Sequence, residues 1–211
     1  MSCQGRDIYI KMGSMLPLIF VDTETTHLDP SIGEIIEIAI IIVYPDGLNW
    51  WSRPKASLIY HRKIKPKRIE DAHPKALEIN GYNEIGWKDA RPFEEHASYI
   101  SHLLEYGIII GHNVDFDYRF IVEEMKRSGF DRRISYHRLD TKGLAFEHLP
   151  IKRYSMDYIR DFFGWSKSGA HTALKDAQDC KRLYFSLIRS TCIHRLYWKI
   201  KSYLQKKSPN G

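Results

Sequence analysis

Apolar and polar positions along this 211-residue chain fall into blocks whose period changes from strand-like to helix-like. Leu16, Leu18, Ile19, Phe20 and Val21 form a short apolar run that predicts a buried strand over 16–22. The Ile-rich stretch 34–44 predicts a second strand, and 57–66 a third. Pro45, Asp46 and Gly47 carry a turn signal between the second and third. Short connections favour an antiparallel meander, because parallel neighbours need a long crossover. The period then lengthens. Phe93, Ala97, Ile100, Leu103 and Leu104 recur at helical spacing behind Pro92, a residue suited to a helix first turn. A buried strand over 107–110 follows, then helices over about 115–127, 140–147 and 155–163. Ala173, Ala177, Cys180, Tyr184, Leu187 and Ile188 line one face of a long helix. Ile193, Leu196, Tyr197, Ile200 and Leu204 predict a last amphipathic segment. Three hairpin-type strands followed by helix–strand–helix units make an α/β domain with a mixed sheet.

Composition narrows the class. With 43% hydrophobic and 27% charged residues the chain is that of an ordinary globular domain. No apolar run is long enough to span a membrane, and residues 1–15 lack the apolar stretch of a secretory signal. Cys3, Cys180 and Cys192 are odd in number and far apart, which suggests neither a disulfide framework nor a zinc site. They fit a reducing compartment, and a cytoplasmic protein is expected. A net charge of +6 leans towards a polyanionic partner such as nucleic acid. Residues 53–68 carry seven Lys or Arg and no acid, and 177–207 carry eight against Asp179 alone. Such runs are read either as phosphate contacts or as solvated basic faces. In the first reading Arg62, Lys63, Lys65, Lys67 and Arg68, together with tail residues such as Arg195 and Lys199, guide a strand.

The chemistry begins at the end of the first strand. Asp22 and Glu24 sit two apart and therefore point to one face. Paired carboxylates repel unless a cation neutralises them, and oxygen ligands suit Mg²⁺ or Mn²⁺. The plainer alternative is two solvated acids at a strand end. Asp115 and Asp117 open the helix after the 107–110 strand, and Asp115 is read as complementing the helix dipole. His171 lies on a loop five residues ahead of Asp176, and Asp176 shares the inward side of its helix with Ala173 and Cys180. There is no H-E-x-x-H, paired C-x-x-C, G-x-x-x-x-G-K-[ST] or G-x-S-x-G pattern.

D-x-E in a first strand, H-N-x-x-F-D ahead of a middle helix and H-x-x-x-x-D at a late one resemble the three exonuclease motifs of the DEDD superfamily. The His five residues before the last Asp marks its DEDDh branch. That branch includes the epsilon proofreading subunits of bacterial replicative polymerases, ribonuclease T and oligoribonuclease. The resemblance covers about residues 16–190, read as the exonuclease domain, with 1–15 an N-terminal extension and 191–211 a basic amphipathic C-terminal helix and tail. It implies a ribonuclease H-like fold with a mixed five-stranded sheet, antiparallel in its first three strands and flanked by helices. It also implies Asp22, Glu24, Asp117 and Asp176 as ligands of two Mg²⁺ or Mn²⁺ ions, with His171 as general base. The implied reaction is 3′→5′ exonuclease hydrolysis of the terminal phosphodiester of single-stranded or frayed DNA, giving nucleoside 5′-monophosphates. RNA is the alternative substrate, and an accessory proofreading module docking on a DNA polymerase or another replication or repair partner is the alternative role. No membrane partner is implied.

Thr25 (by its backbone), Asn80 and Phe116 are the implied contacts to the terminal nucleotide. Asn80 lies in the segment 73–83, "HPKALEINGYN", at a position that the family often fills with His. His27 replaces a Gly usual after the first motif. Because Gly tolerates backbone shapes that His does not, a reshaped loop is expected there. His112 and Asn113 are read as fixing the second-motif loop. Trp50, Trp51 and Trp165 are read as packing residues rather than as base-stacking platforms.

Overall fold

The computed structural model describes residues 16–44, 57–130, 133–189 and, beyond them, Tyr197, Trp198 and Ile200. Five strands form one sheet: β1 (Leu18–Thr25), β2 (Ile35–Val43), β3 (Ser57–Lys63), β4 (Ile108–Gly111) and β5 (Arg138–Asp140). Their spatial order is β3-β2-β1-β4-β5. β1 pairs antiparallel with β2, as β2 does with β3, while β4 is parallel to both β1 and β5. The mixed five-stranded sheet with an antiparallel first half is therefore as expected. The turn at Pro45–Gly47, residues 1–15 and most of the basic tail lie outside the described residues.

Helices α1 (Pro74–Asn80), α2 (Glu84–Trp87), α3 (Phe93–Leu104), α4 (Val114–Arg127), α5 (Thr141–His148), α6 (Met156–Phe163) and α7 (Ala173–Ile188) surround the sheet. The alternation of β1 distributes them. Ile19 and Val21 pack with Ile38, Ile40 and Ile42 of β2 against Ile100 and Leu104 of α3 and Phe120 and Ile121 of α4. Phe20 packs with Ala39, Ile41 and Ile110 against Ala173, Ala177, Leu183 and Leu187 of α7. β2 is buried along its whole length because both of its faces are covered. That accounts for its continuous apolar run, broken only by Glu37.

Helix ends match local chemistry. Ser155 caps α6 through a bond from the Tyr158 amide, and Gly164 closes it at φ 69°. Pro92 occupies the cap of α3. The C-terminal face differs from expectation. Tyr197 and Ile200 are exposed, whereas Trp198 is buried and meets the Phe163 ring edge-on at 5.7 Å. The larger aromatic, one residue out of the expected stripe, takes the inward position.

Four of the five midchain cations expected to meet phosphates have partners within the protein. Arg62 lies over Tyr60, Lys63 lies 3.7 Å above Trp87, Lys67 pairs with Glu94, and Arg68 sits 3.9 Å from both Glu34 and Asp71. No helix among the described residues is long and apolar enough to cross a membrane.

Candidate active site

Strand alternation puts Asp22 and Glu24 on the same side of the sheet as Phe20, the side covered by α7. The first turn of α7 carries Asp176 to that side. Carboxylate oxygens of Asp22, Glu24 and Asp176 all lie within 4.8 Å of one another. A register shift in the β1–β2 ladder falls between Glu24 and Thr25, so the bulge sits where β1 delivers its acids.

Asp117 arrives from the other side. It projects from α4, and its Oδ1 accepts two bonds from Thr23, one from the amide and one from the hydroxyl, both 2.8 Å. Thr23 alternates with Asp22 and Glu24, so it is the β1 residue that faces α4. The fourth predicted ligand is thus buried at β1, with one oxygen engaged, and stands outside the close group of three.

Charge crowding is severe. Burial, then Asp117, Asp176 and Glu24, pushes the Asp22 carboxyl well above the usual carboxylate range. Glu24 is pushed up to about 8 by burial, then by Asp176 and Glu37. Burial lifts Asp117 to about 7, against the two bonds from Thr23. Asp176 is also raised by burial, with Arg160 opposing. An all-oxygen cluster of clustered, proton-retaining acids is the donor set that a hard divalent cation neutralises. The residues present fit Mg²⁺ or Mn²⁺.

The sign of the linkage gives a test. A carboxyl whose folded pKa is raised keeps its proton in the folded state, so the native protein binds more protons than the unfolded one. Glu24 sets a window from its ordinary 4.5 to about 8, and stability without metal falls as pH rises through it. In EDTA, Tm is expected to be lower near pH 8.5 than near pH 5.5, and Mn²⁺ to raise Tm most at the higher pH. A Tm that ignores both pH and Mn²⁺ would remove these acids from ion binding.

His171 occupies the loop ahead of α7 at φ 62°, in the left-handed region that few non-glycine residues adopt. Its ring is half-exposed, and Nε2 lies 3.7 Å from Asp157 Oδ2. Asp176 lies close enough for a charged His171 to favour its ionised form.

The predicted nucleotide contacts divide. Asn80 is buried, its Nδ2 donates to the Thr25 carbonyl at 3.1 Å and its Oδ1 accepts from the Tyr82 amide. Asn80 therefore shapes the Thr25 loop from behind. Phe116 is partly buried, 4.9 Å from the Phe120 ring. His27 keeps an ordinary negative φ and accepts the Asp29 amide on Nδ1, while a Cβ on Gly33 would meet the His27 Cβ at 2.8 Å. Gly33 thus makes the space that His27 fills, with no left-handed backbone at His27.

His112 bonds Thr141 Oγ1 at 3.0 Å and the Tyr154 carbonyl at 2.7 Å, and Asn113 turns the chain at φ 79°. Both fix the second-motif loop, as expected. Asp115 is exposed and pairs with Arg138.

Two features escaped sequence reasoning. Glu37 lies opposite Glu24 in the ladder and bonds His61 at 2.7 Å. An acid inside an Ile run was the available signal. Arg160 is fully buried among acids and had none, since one Arg on a helix reads as a surface residue. Beside the carboxylates a cleft of about 420 Å³ opens, lined by Glu37, His61, Lys63, Asn80, Trp87 and Lys175 among others.

Comparison with known proteins gives the family. DNA polymerase III PolC-type of Thermotoga petrophila is 32% identical over 171 residues, covering 81% of this chain but 12% of that protein. DNA polymerase III subunit epsilon of Rickettsia typhi is 32% identical over 180 residues, 82% of this chain and 75% of that one. Ribonuclease T of Blochmanniella pennsylvanica is 28% identical over 186 residues, covering 81% and 83%. The fold also matches E. coli exonuclease I in complex with a dA16 oligonucleotide. The TM-score is 0.67 at 17% identity, over 86% of this chain and 42% of that one. The chain thus spans only a small part of the polymerase and less than half of exonuclease I. The family model described as Exonuclease runs over residues 19–184, from the strand that bears Asp22 to the helix that bears Asp176. The chain therefore belongs to the exonuclease family, the DEDD group that its motifs resemble.

Proposed function

We propose that this chain is a 3′→5′ exonuclease that removes nucleoside 5′-monophosphates from single-stranded or frayed DNA. The observation that carries the reading is the convergence of Asp22, Glu24 and Asp176 beside the His171 loop. Asp22, Glu24 and Asp176 would hold two Mg²⁺ or Mn²⁺ ions, with Asp117 contributing from the α4 side. Such ions supply water activation and offset charge on the phosphate and the leaving 3′ oxygen. His171 accepts the proton of the attacking water, a task suited to a half-exposed imidazole on a loop. The Thr25 backbone, held by Asn80, and the outer face of Phe116 position the terminal nucleotide. The neighbouring cleft accommodates the strand behind it.

Digestion of a 5′-labelled single strand should give a ladder shortening from the 3′ end, and a 3′-phosphate should block it. Cleavage of circular single-stranded DNA would overturn the reading. The likeness to ribonuclease T favours RNA as the second substrate class, and the likeness to epsilon favours docking on a polymerase. Comparing single-stranded DNA, mismatched duplex and short RNA in one rate panel separates them. Faster cleavage of RNA than of DNA would replace the substrate named first.

A further inference from the structure

We infer that Arg160 is a positioning residue that fixes the Asp176 carboxylate for its ion and ties it to the His171 loop. The inference rests on the carboxylate cage proposed above. The Arg160 side chain is 1% exposed, and its guanidinium meets three acids. Nε donates to Asp179 Oδ2 at 2.8 Å, Nη1 to Asp157 Oδ1 at 2.8 Å, and Nη2 to Asp176 Oδ1.

A buried cation needs a partner, but one carboxylate would neutralise it. Asp179 is shared with Lys175, whose Nζ lies 2.7 Å from its other oxygen, so two cations meet three acids. That is one acid more than neutralising the two cations requires. Both Asp157 and Asp176 adjoin the chemistry. A guanidinium presents its donors in a rigid plane, so it fixes direction as well as charge. With Oδ1 of Asp176 committed to Nη2, the other oxygen is left for a cation shared with Asp22 and Glu24. Asp157, held through Oδ1, turns its Oδ2 to within 3.7 Å of His171 Nε2. One side chain thereby sets the orientation of a ligand and the surroundings of the base.

Two variants test this. Arg160→Lys keeps the charge and loses the fork. The double variant Arg160→Met/Asp179→Leu removes the buried pair together and keeps the space between α6 and α7 filled. Mn²⁺ affinity is measured by electron paramagnetic resonance, alongside Tm, kcat and KM. Both variants are expected to lose about 10–100-fold in Mn²⁺ affinity or kcat, the usual effect of removing a partner behind a ligand, with KM little changed. The double variant should do so with a Tm close to that of the native chain. If it instead keeps Mn²⁺ affinity and kcat within about two-fold, Arg160 only clips α6 to α7 and the proposal is overturned. Failure of the native chain to bind Mn²⁺ has a different signature and overturns the cage itself.

Discussion

Asp22→Ala and Asp176→Ala are each expected to lower turnover by about 10³-fold or more. Lewis-acid and charge stabilisation by bound ions supplies several kcal/mol, and each 1.4 kcal/mol or so is ten-fold in rate. Asp22 feels the charges of Asp117, Asp176 and Glu24 together. Asp176 brings the only acid that α7 adds to the trio. The Asp22 variant should also show an unusual signature. Removing one of several crowded acids relieves repulsion, so without metal Asp22→Ala should melt no lower than the native chain, while Mn²⁺ should stabilise it less. Initial rates in Mg²⁺ and melting curves with and without Mn²⁺ check both parts. Near-normal rates for either variant would sink the assignment. Asp115→Ala serves as the control, because that acid is exposed and pairs with Arg138 outside the group.

His171→Ala should lower kcat by about 10²–10⁴-fold, the range for a general base, while KM changes little. The backbone complicates the choice of variant, since His171 sits at φ 62° and alanine is strained there. Asparagine tolerates that region without offering an imidazole. His171→Asn therefore isolates the ring. If both variants lose kcat and the acid limb of the pH–rate profile, the imidazole is the base. A native rate for His171→Asn at neutral pH would exclude it.

Where the sequence was legible, one periodicity decided the element. β1, β2 and α7 carry runs long enough to show period two, continuous burial or helical spacing, and they appear close to the expected bounds. β5 did not show, because Arg138, Leu139 and Asp140 contain one apolar residue and the pairing with β4 makes the strand. α1 and α2 are too short for a periodic signal and are defined by their ends, His73 and Asn83 capping them and Gly81 turning the chain between. At the site, Asp22, Glu24, Asp176 and His171 were singled out by the motifs they form, and the structure brings the three acids together. That Asp117 approaches from the opposite side of the sheet was not legible, because only the packing of α4 against β1 reveals it. Arg160 lay out of reach for the same reason. Its meaning comes from three acids on two helices, none of which its own neighbours in sequence announce.

The alternation of β1 makes strand length matter more to the carboxylate group than side-chain identity just upstream. Exchanging Ile19 for another apolar residue changes packing by a little, but a one-residue slip would turn Asp22 and Glu24 towards the apolar layer under α3 and α4. Thr23 would then face α7, and the Asp117 carboxylate would lose its hydroxyl partner. β2 and β4 hold β1 from both edges and oppose such a slip. The sheet thus acts as a ruler for the acids, and an insertion or deletion within β1 is expected to displace them more completely than most substitutions there.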